Sequence, residues 1–310
     1  MIAPEAGTPS RDVVVRFHGT RGSLPSPDPA SARTGGDTSC VEIACGGARI
    51  LLDAGTGIRR AGTSSAGSAA EDIDIFLTHF HWDHVQGLPF FPPLHDAAAR
   101  VRIHAPCHDG MCAADLLGGR LAPVYFPVPV HAFAAQCTTH ALDDGPVVTG
   151  PFRVDAIRVR HPSTTLGLRV TCGNFVIAYV PDNELGDPGG RTLQCVADPP
   201  GGSPGHSTYD ELCAFVAGAD LLLHDAMFTD AEYAARRGWG HSTFRQAVQL
   251  ALDCGAKDLR LFHHDPARAD DDLDAIVASL RSALVSEGAT LRVDAARDGE
   301  AIRLAAGVCR

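Results

Sequence analysis

The stretch THFHWDH, Thr78 to His84, places four candidate metal ligands within six residues, directly behind the apolar run IDIFL. In an extended backbone the side chains at i and i+2 share a face, so His79 and His81 aim at one spot. If the chain then turns into a helix, Asp83 and His84 swing round to a neighbouring spot. Neutral imidazole and carboxylate are the ligands that borderline divalent ions accept. One short run of sequence can therefore seed two adjacent metal sites. A solvated His-rich loop fits poorly behind so apolar a strand. Two cations ~3.5–4 Å apart suit hydrolysis, because together they polarise a scissile centre and clamp the attacking and leaving oxygens. They also lower the pKa of a water they hold to about 7. The run contains no thiolate, which is compatible with zinc, manganese or iron.

A second signal is a repetition. GHST occurs at Gly205–Thr208 and again at Gly240–Thr243. Each copy is followed by a helical stretch, an apolar strand and His-Asp: His224-Asp225 after the first, His263-His264-Asp265 after the second. The repetition by itself leaves open whether both histidines serve chemistry.

These residues need elements to position them. After a flexible polar tail (residues 1–11), DVVVRFHG reads as a β-branched strand. SCVEIACGGARILLDAG reads as two strands joined at a Gly46-Gly47 turn. AGTSSAGSAA (61–70) reads as a small-residue loop, and a helix is expected over 108–117. FRVDAIRVRH and TLGLRVTCGNFVIAYVPD give three more strands, turning at Gly173-Asn174. The turn-formers of LGDPGGRTLQCVADPPGGSPG mark an inserted loop at about 185–207. DLLLHD and DLRLFHHD are strands. Between them HSTFRQAVQLALDCGAK is a helix capped by Ser242 or Thr243 and ended by Gly255. DDDLDAIVASLRSAL is a second helix, with acidic residues where the helix dipole favours them. Strands in runs followed by strand–helix alternation indicate a layered α/β sandwich without a marked boundary, hence one domain over 12–310.

Composition narrows the function classes. The chain is 45% apolar and 20% charged, ordinary for a folded domain, with no apolar run near the ~20 residues that span a bilayer. The N-terminus lacks a basic head followed by an apolar segment, so cytoplasm is the expected location and no membrane role is expected. Ten scattered cysteines without a Cys-x-x-Cys pair read as mostly buried free thiols. Net charge is −11, with a single lysine, Lys257, and no basic stripe. Binding nucleic acid at large is disfavoured, because phosphate neutralisation supplies most of that affinity. A small phosphate ester held by metal ions is not. GTRGS near the start and GTG at 55–57 are weak phosphate-loop signals without a Lys-Ser/Thr ending.

The pattern His-x-His-x-Asp-His after a strand resembles the signature of the metallo-β-lactamase superfamily. The resemblance runs from FHGTRGSLPS through GGDTSC, LLDAGTG, LTHFHWDHVQGLPFF, YVPDNE and LLLHDAMF to GWGHST and LFHHDP. It is similar to the branch of tRNA 3′-processing endonucleases and phosphonate-pathway cyclic phosphodiesterases. It implies an αββα four-layer sandwich with two divalent metal ions at one edge. By that resemblance His79, His81 and His161 hold the first metal, Asp83, His84 and His263 the second, and Asp182 bridges them. Asp83 serves catalysis as well. Zinc is the expected metal, with manganese or iron as alternatives. Asp53 in LLDAG either braces the metal loop or is a plain turn carboxylate. His264 is left as a supporting residue or substrate contact. His241 is the expected general acid, oriented by Asp225 with His224 assisting. Asp225 is a departure, since those endonucleases usually carry the longer Glu there. His206 falls where the pattern expects nothing and reads as a helix-start residue. His18 could line the pocket, VYFPVPV (124–130) could wall the mouth, and His95, His104, His108, His131 and His140 read as structural or surface residues.

The resulting expectation is a dinuclear-metal-dependent hydrolase of a small or cyclic phosphodiester. The alternatives are a tRNA 3′-endonuclease, a lactone or ester hydrolase, and a di-iron redox or sensing protein. The motifs leave oligomeric state open, a homodimer included.

Overall fold

A computed structural model describes residues 12–63, 72–120, 127–128, 132–142, 145–186 and 205–305. The tail 1–11, the bulk of the inserted loop (187–204) and most of VYFPVPV lie outside the described residues.

One seven-stranded sheet contains β1 (Val13–Gly19), β2 (Cys40–Cys45), β3 (Ala48–Leu52), β4 (Asp72–Phe76), β5 (Arg100–Ala105), β6 (Gln136–Ala141) and β14 (Ala301–Leu304). Its order is β14-β1-β2-β3-β4-β5-β6. The other contains β7 (Val147–Thr149), β8 (Phe152–Val159), β9 (Thr165–Cys172), β10 (Phe175–Val180), β11 (Leu221–Asp225), β12 (Asp258–Phe262) and β13 (Arg292–Ala295). Its order is β13-β12-β11-β10-β9-β8-β7. Each sheet is antiparallel in its hairpin half and parallel in its crossover half.

Strand periodicity builds the layers. Ile177 and Tyr179 of β10 point into a core shared by both sheets, with Val13, Val15 and Phe17 opposite, while Ala178 and Val180 point outward. That outer face is covered by α4 (Tyr209–Val216), α6 (Phe244–Asp253) and α7 (Asp270–Ser286). The outer face of the first sheet is covered by α1 (Ile58–Thr63), α3 (Ala113–Arg120) and the turns around Leu88, Phe91 and Leu94. The architecture is the αββα sandwich, each fully buried Phe, Leu or Ile contributing about 1.5–3 kcal/mol. Among the described residues no helix is long and apolar enough to cross a membrane.

The strand directions create the site. β10, β11 and β12 are mutually parallel, and β8 runs the same way because each of β8 and β10 is antiparallel to β9. All four end at one edge. Just past β4, the Thr78 carbonyl accepts from Leu166 N at 3.0 Å, joining the two sheets there. The carboxyl ends of strands are where open α/β sheets place ligands.

Four expectations need correction. The loop expected over 61–70 starts too early, since residues 61–63 complete α1, and 64–70 lie outside the described residues. The helix expected over 108–117 begins at Ala113, because Asp109 (φ 49°) and Gly110 (φ 76°) turn the chain first. Of the eight described cysteines only half, Cys40, Cys45, Cys172 and Cys254, are buried, and Cys112 is exposed. His18 does not line the edge. It stands two residues from Arg16 on the outer face of β1, buried with Nε2 3.6 Å from Glu42. Burial alone would raise the Glu42 pKa. His18, with Arg49, outweighs that and holds it at about 2.

Candidate metal centre

The run after β4 forms two clusters. His79 and His81 follow the extended strand end, and α2 (Trp82–Val85) turns Asp83 and His84 to the adjoining position. The donor atoms of His79, His81, His161 and Asp182 all lie within 4.8 Å of one another, as do those of Asp83, His84, Asp182 and His263. Asp182 belongs to both. Its Oδ2 is 3.7 Å from His79 Nε2 and from His161 Nε2. Its Oδ1 is 3.0 Å from His84 Nε2 and 3.3 Å from His263 Nε2. Asp83 Oδ2 stands 3.0 Å from His263 Nε2 and accepts from Ser23 N at 2.7 Å.

This donor set fits cations. His161 Nδ1–H donates to the Gly240 carbonyl at 2.9 Å, so its Nε2 presents a lone pair, 3.1 Å from His81 Nδ1. His84 donates Nδ1–H to Asp53 at 2.8 Å, and its Nε2 lies 3.4 Å from His263 Nε2. His79 Nε2 is buried without a hydrogen-bond partner. Lone pairs and carboxylate oxygens converging away from water are costly unless something positive binds them. Burial also holds His79 and His81 neutral and brings the His161 pKa down to about 3, the form in which imidazole ligates. Burial likewise disfavours the charged forms of Asp83 and Asp182, but the surrounding histidines, His84 and His263 foremost, outweigh it and keep both carboxylates ionised.

Next to the second cluster, the His241 ring stacks on that of His263 with centroids 4.9 Å apart. Its Nδ1 lies 2.7 Å from Asp225 Oδ2. Burial would lower the His241 pKa. Asp225 outweighs it and, with Asp182 and Asp83, raises it to about 9. The shorter Asp225 therefore reaches His241 directly.

Against this geometry stand the comparisons with known proteins. The chain is 31% identical over 247 residues to a ribonuclease Z of Nocardia farcinica (strain IFM 10152), covering 69% of this chain and 77% of that one. The Beta-lactamase superfamily domain matches residues 48–197. The chain belongs to the metallo-β-lactamase superfamily. Its fold is similar to that of the metallo-β-lactamase fold protein YhfI from Bacillus subtilis, with a TM-score of 0.66, 19% identity, and 95% and 100% of the two chains covered. It is also similar to a diphosphatase from the PhnP family, with a TM-score of 0.64, 16% identity, and 94% and 97% covered.

In this member of the superfamily the clusters rest on a buried frame. Asp53, at φ 60° just past β3, accepts from Thr78 N at 2.7 Å, from Tyr179 OH at 2.8 Å and from His84. It is a brace, not a plain turn carboxylate. His263 is also left-handed, at φ 59°, a backbone state that costs a non-glycine residue of order 1–3 kcal/mol and that clusters at functional sites. Glu184 accepts from Gly238 N at 2.8 Å, Gly240 N at 3.0 Å and Tyr233 OH at 2.7 Å, fixing the segment that leads into His241. Gly240 has φ 89°, and a Cβ there would overlap the His161 ring.

Sequence reasoning missed the GTRGS loop in this role. Gly22 packs so closely on His263 that a Cβ would overlap its ring, and Ser23 N holds Asp83. Arg21, fully buried, donates to the carbonyls of Gly35, Asp265 and Arg268 at 2.8–3.1 Å. The loop clamps the second cluster through backbone and cannot be the phosphate loop that its glycines suggested. His264 is no substrate contact: it is buried, and its Nε2–H donates to the Ala296 carbonyl at 3.0 Å. Both His224 nitrogens are engaged, Nδ1–H with the Asp225 carbonyl at 2.7 Å and Nε2 with Asn183 at 3.3 Å. His224 thus reaches His241 only through those neighbours.

The GHST copies separate cleanly. In each, the threonine is an N-cap: Thr208 forms a capping box with Glu211 on α4, and Thr243 one with Gln246 on α6. The shared letters are a helix-start signal. Only His241 is brought to the clusters, and His206 precedes α4 outside them.

Proposed function

We propose that this superfamily member is a dinuclear-metal-dependent phosphodiesterase acting on a small or cyclic phosphodiester. The observation that carries this reading is the His241–Asp225 pair, stacked against the second of two clusters that share Asp182. His79, His81 and His161 would hold one metal ion, Asp83, His84 and His263 the other, and Asp182 both. Zinc suits an all-His/Asp set, and manganese or iron are compatible with it. Two such cations supply Lewis acidity and lower the pKa of water to about 7.

The chain's own groups do the rest. Asp225 takes the His241 Nδ1–H, leaving Nε2–H as the proton that can pass to a departing alkoxide oxygen. An alkoxide leaves poorly without that proton. An activated ester needs such help less, so the acid suits an unactivated diester. Asp83 stays ionised and is aimed by Ser23 N, so it remains an acceptor at the reacting centre. The similarity to proteins named ribonuclease Z and to a diphosphatase supports phosphorus–oxygen bond cleavage.

A panel of cyclic nucleotides, dinucleotides, bis(p-nitrophenyl) phosphate, lactones and a precursor tRNA, assayed with zinc, manganese and iron forms, tests the reading. Turnover of the small diesters, lost in His241→Ala with metal retained, is expected. Lactone turnover with inert diesters would overturn the reading. Cleavage of the precursor tRNA at nanomolar enzyme would move the substrate class to RNA, the reading that the ribonuclease Z relatives favour.

A further inference from the structure

On the His241 side of the site, side chains that the clusters do not use form a layered group. The Phe228 ring meets that of His241 edge-on, with centroids 5.9 Å apart and planes at 83°. The Arg236 guanidinium lies 5.2 Å from the Phe228 ring centre and 5.9 Å from that of Trp239. Contacts thus link His241 to Phe228, Phe228 to Arg236 and Arg236 to Trp239, whose indole is 60% exposed.

A lone exposed aromatic residue is ordinary. This one is tied to the reacting centre. Trp239 N donates to the Arg236 carbonyl at 3.1 Å. The next residue, Gly240, is fixed at both ends, its N–H by Glu184 at 3.0 Å and its carbonyl by His161 at 2.9 Å. His241 follows it. An indole held by so constrained a backbone, with a guanidinium behind it, is the pairing on which bases stack in single-stranded nucleic-acid sites. Arg237, 5.5 Å from the Tyr233 ring centre, adds a second cation to this segment of a chain whose net charge is −11.

We propose that Trp239, backed by Arg236, is a stacking subsite for a heteroaromatic base on the leaving-group side of the site, so that the group released is a nucleoside. This rests on the phosphodiesterase reading in one respect: the oxygen that His241 protonates belongs to the leaving group, which therefore extends over the His241 side.

The test compares two diesters of ribose 5-phosphate, one with adenosine as the alcohol released and one with methanol, so that only the first carries a base. In Trp239→Ala, kcat/KM for the adenosine diester should fall roughly 10- to 100-fold, the loss of one base–aromatic stack, while the methyl diester changes by about 2-fold or less. Trp239→Phe should restore most of the loss. Equal losses on both diesters, or none, would overturn the subsite. A second measurement is independent of turnover. Trp82 and Trp239 are the chain's two tryptophans, so Trp82→Phe leaves Trp239 as the reporter. Adenosine monophosphate should quench its fluorescence and ribose 5-phosphate should not. If wild type cleaves neither these diesters nor any diester of the panel above, the phosphodiesterase reading fails, and the quench alone decides the subsite: present, it stands as a nucleotide-binding site; absent, it falls.

Discussion

His241 Nδ1 and Asp225 Oδ2 are 2.7 Å apart, and the same carboxylate accepts from Asn183 N, Met227 N and Ser242 N at 3.1–3.2 Å. Asp225 is therefore fixed before it fixes His241. Replacing His241 by Ala should lower kcat about 10²–10⁴-fold on diesters with alkoxide leaving groups, the usual contribution of a positioned acid. The loss should shrink on p-nitrophenyl esters, whose leaving group needs no proton. Asp225→Asn should follow the same pattern with a smaller loss. Steady-state rates across a leaving-group series read this directly, and a uniform loss over the series would count against the acid role.

Asp53 touches no substrate in this account. It acts by orienting His84 and by fixing Thr78 ahead of the ligand run. Groups that orient metal-bound imidazoles typically change metal affinity or activity 10–100-fold when altered. Asp53→Asn should weaken metal retention by about that factor while the fold persists. Tyr179→Phe, which removes one donor to Asp53, should weaken it less. Chelator competition measures both, and unchanged retention in Asp53→Asn would remove the brace from the account.

Asp298 supplies a pH dependence away from the clusters. Burial, reinforced by the nearby Asp37 charge, lifts its pKa from 3.8 to about 7, against hydrogen bonds from Asp37 N and Thr20 and the charge of Arg60. Arg21 is a further cation facing it. A carboxyl raised in the folded state favours folding while neutral. That contribution is complete below about pH 4 and is lost as pH rises through about 7. Glu42, at about 2, acts in the opposite sense and at lower pH. Asp298→Asn should therefore gain stability relative to wild type between pH 4 and pH 7, on the order of a few kcal/mol by the upper end. Urea unfolding of both proteins across that range measures the difference, and a constant gap would contradict it.

How much of this was legible in the sequence follows from where each signal lies. The run His79 to His84 is local, so strand and helix periods alone bring its ligands to two neighbouring spots. His161, Asp182 and His263 come from distant strands, and only the family resemblance could align them. The decoy His206 was separable only because the family pattern expects nothing at its place, since the helix-cap letters around it surround His241 as well. The GTRGS clamp was opaque, since it works through the Ser23 amide and through a glycine that must be small against His263. Arg21 was opaque for another reason: nothing in a charged residue's letter says that it will be fully buried. His18 went astray because strand alternation, counted from Phe17 in the inter-sheet core, puts it on the outer face with Glu42.

The central claim is that Asp182 is shared by two cation sites. Metal analysis of the folded protein after equilibration with zinc tests it most directly, beside His161→Ala and Asp182→Asn. Two equivalents per chain are predicted for the wild type, about one for His161→Ala, and loss at both sites for Asp182→Asn. A wild-type protein that takes up no metal, or an Asp182→Asn variant that still holds two equivalents as tightly, would contradict it.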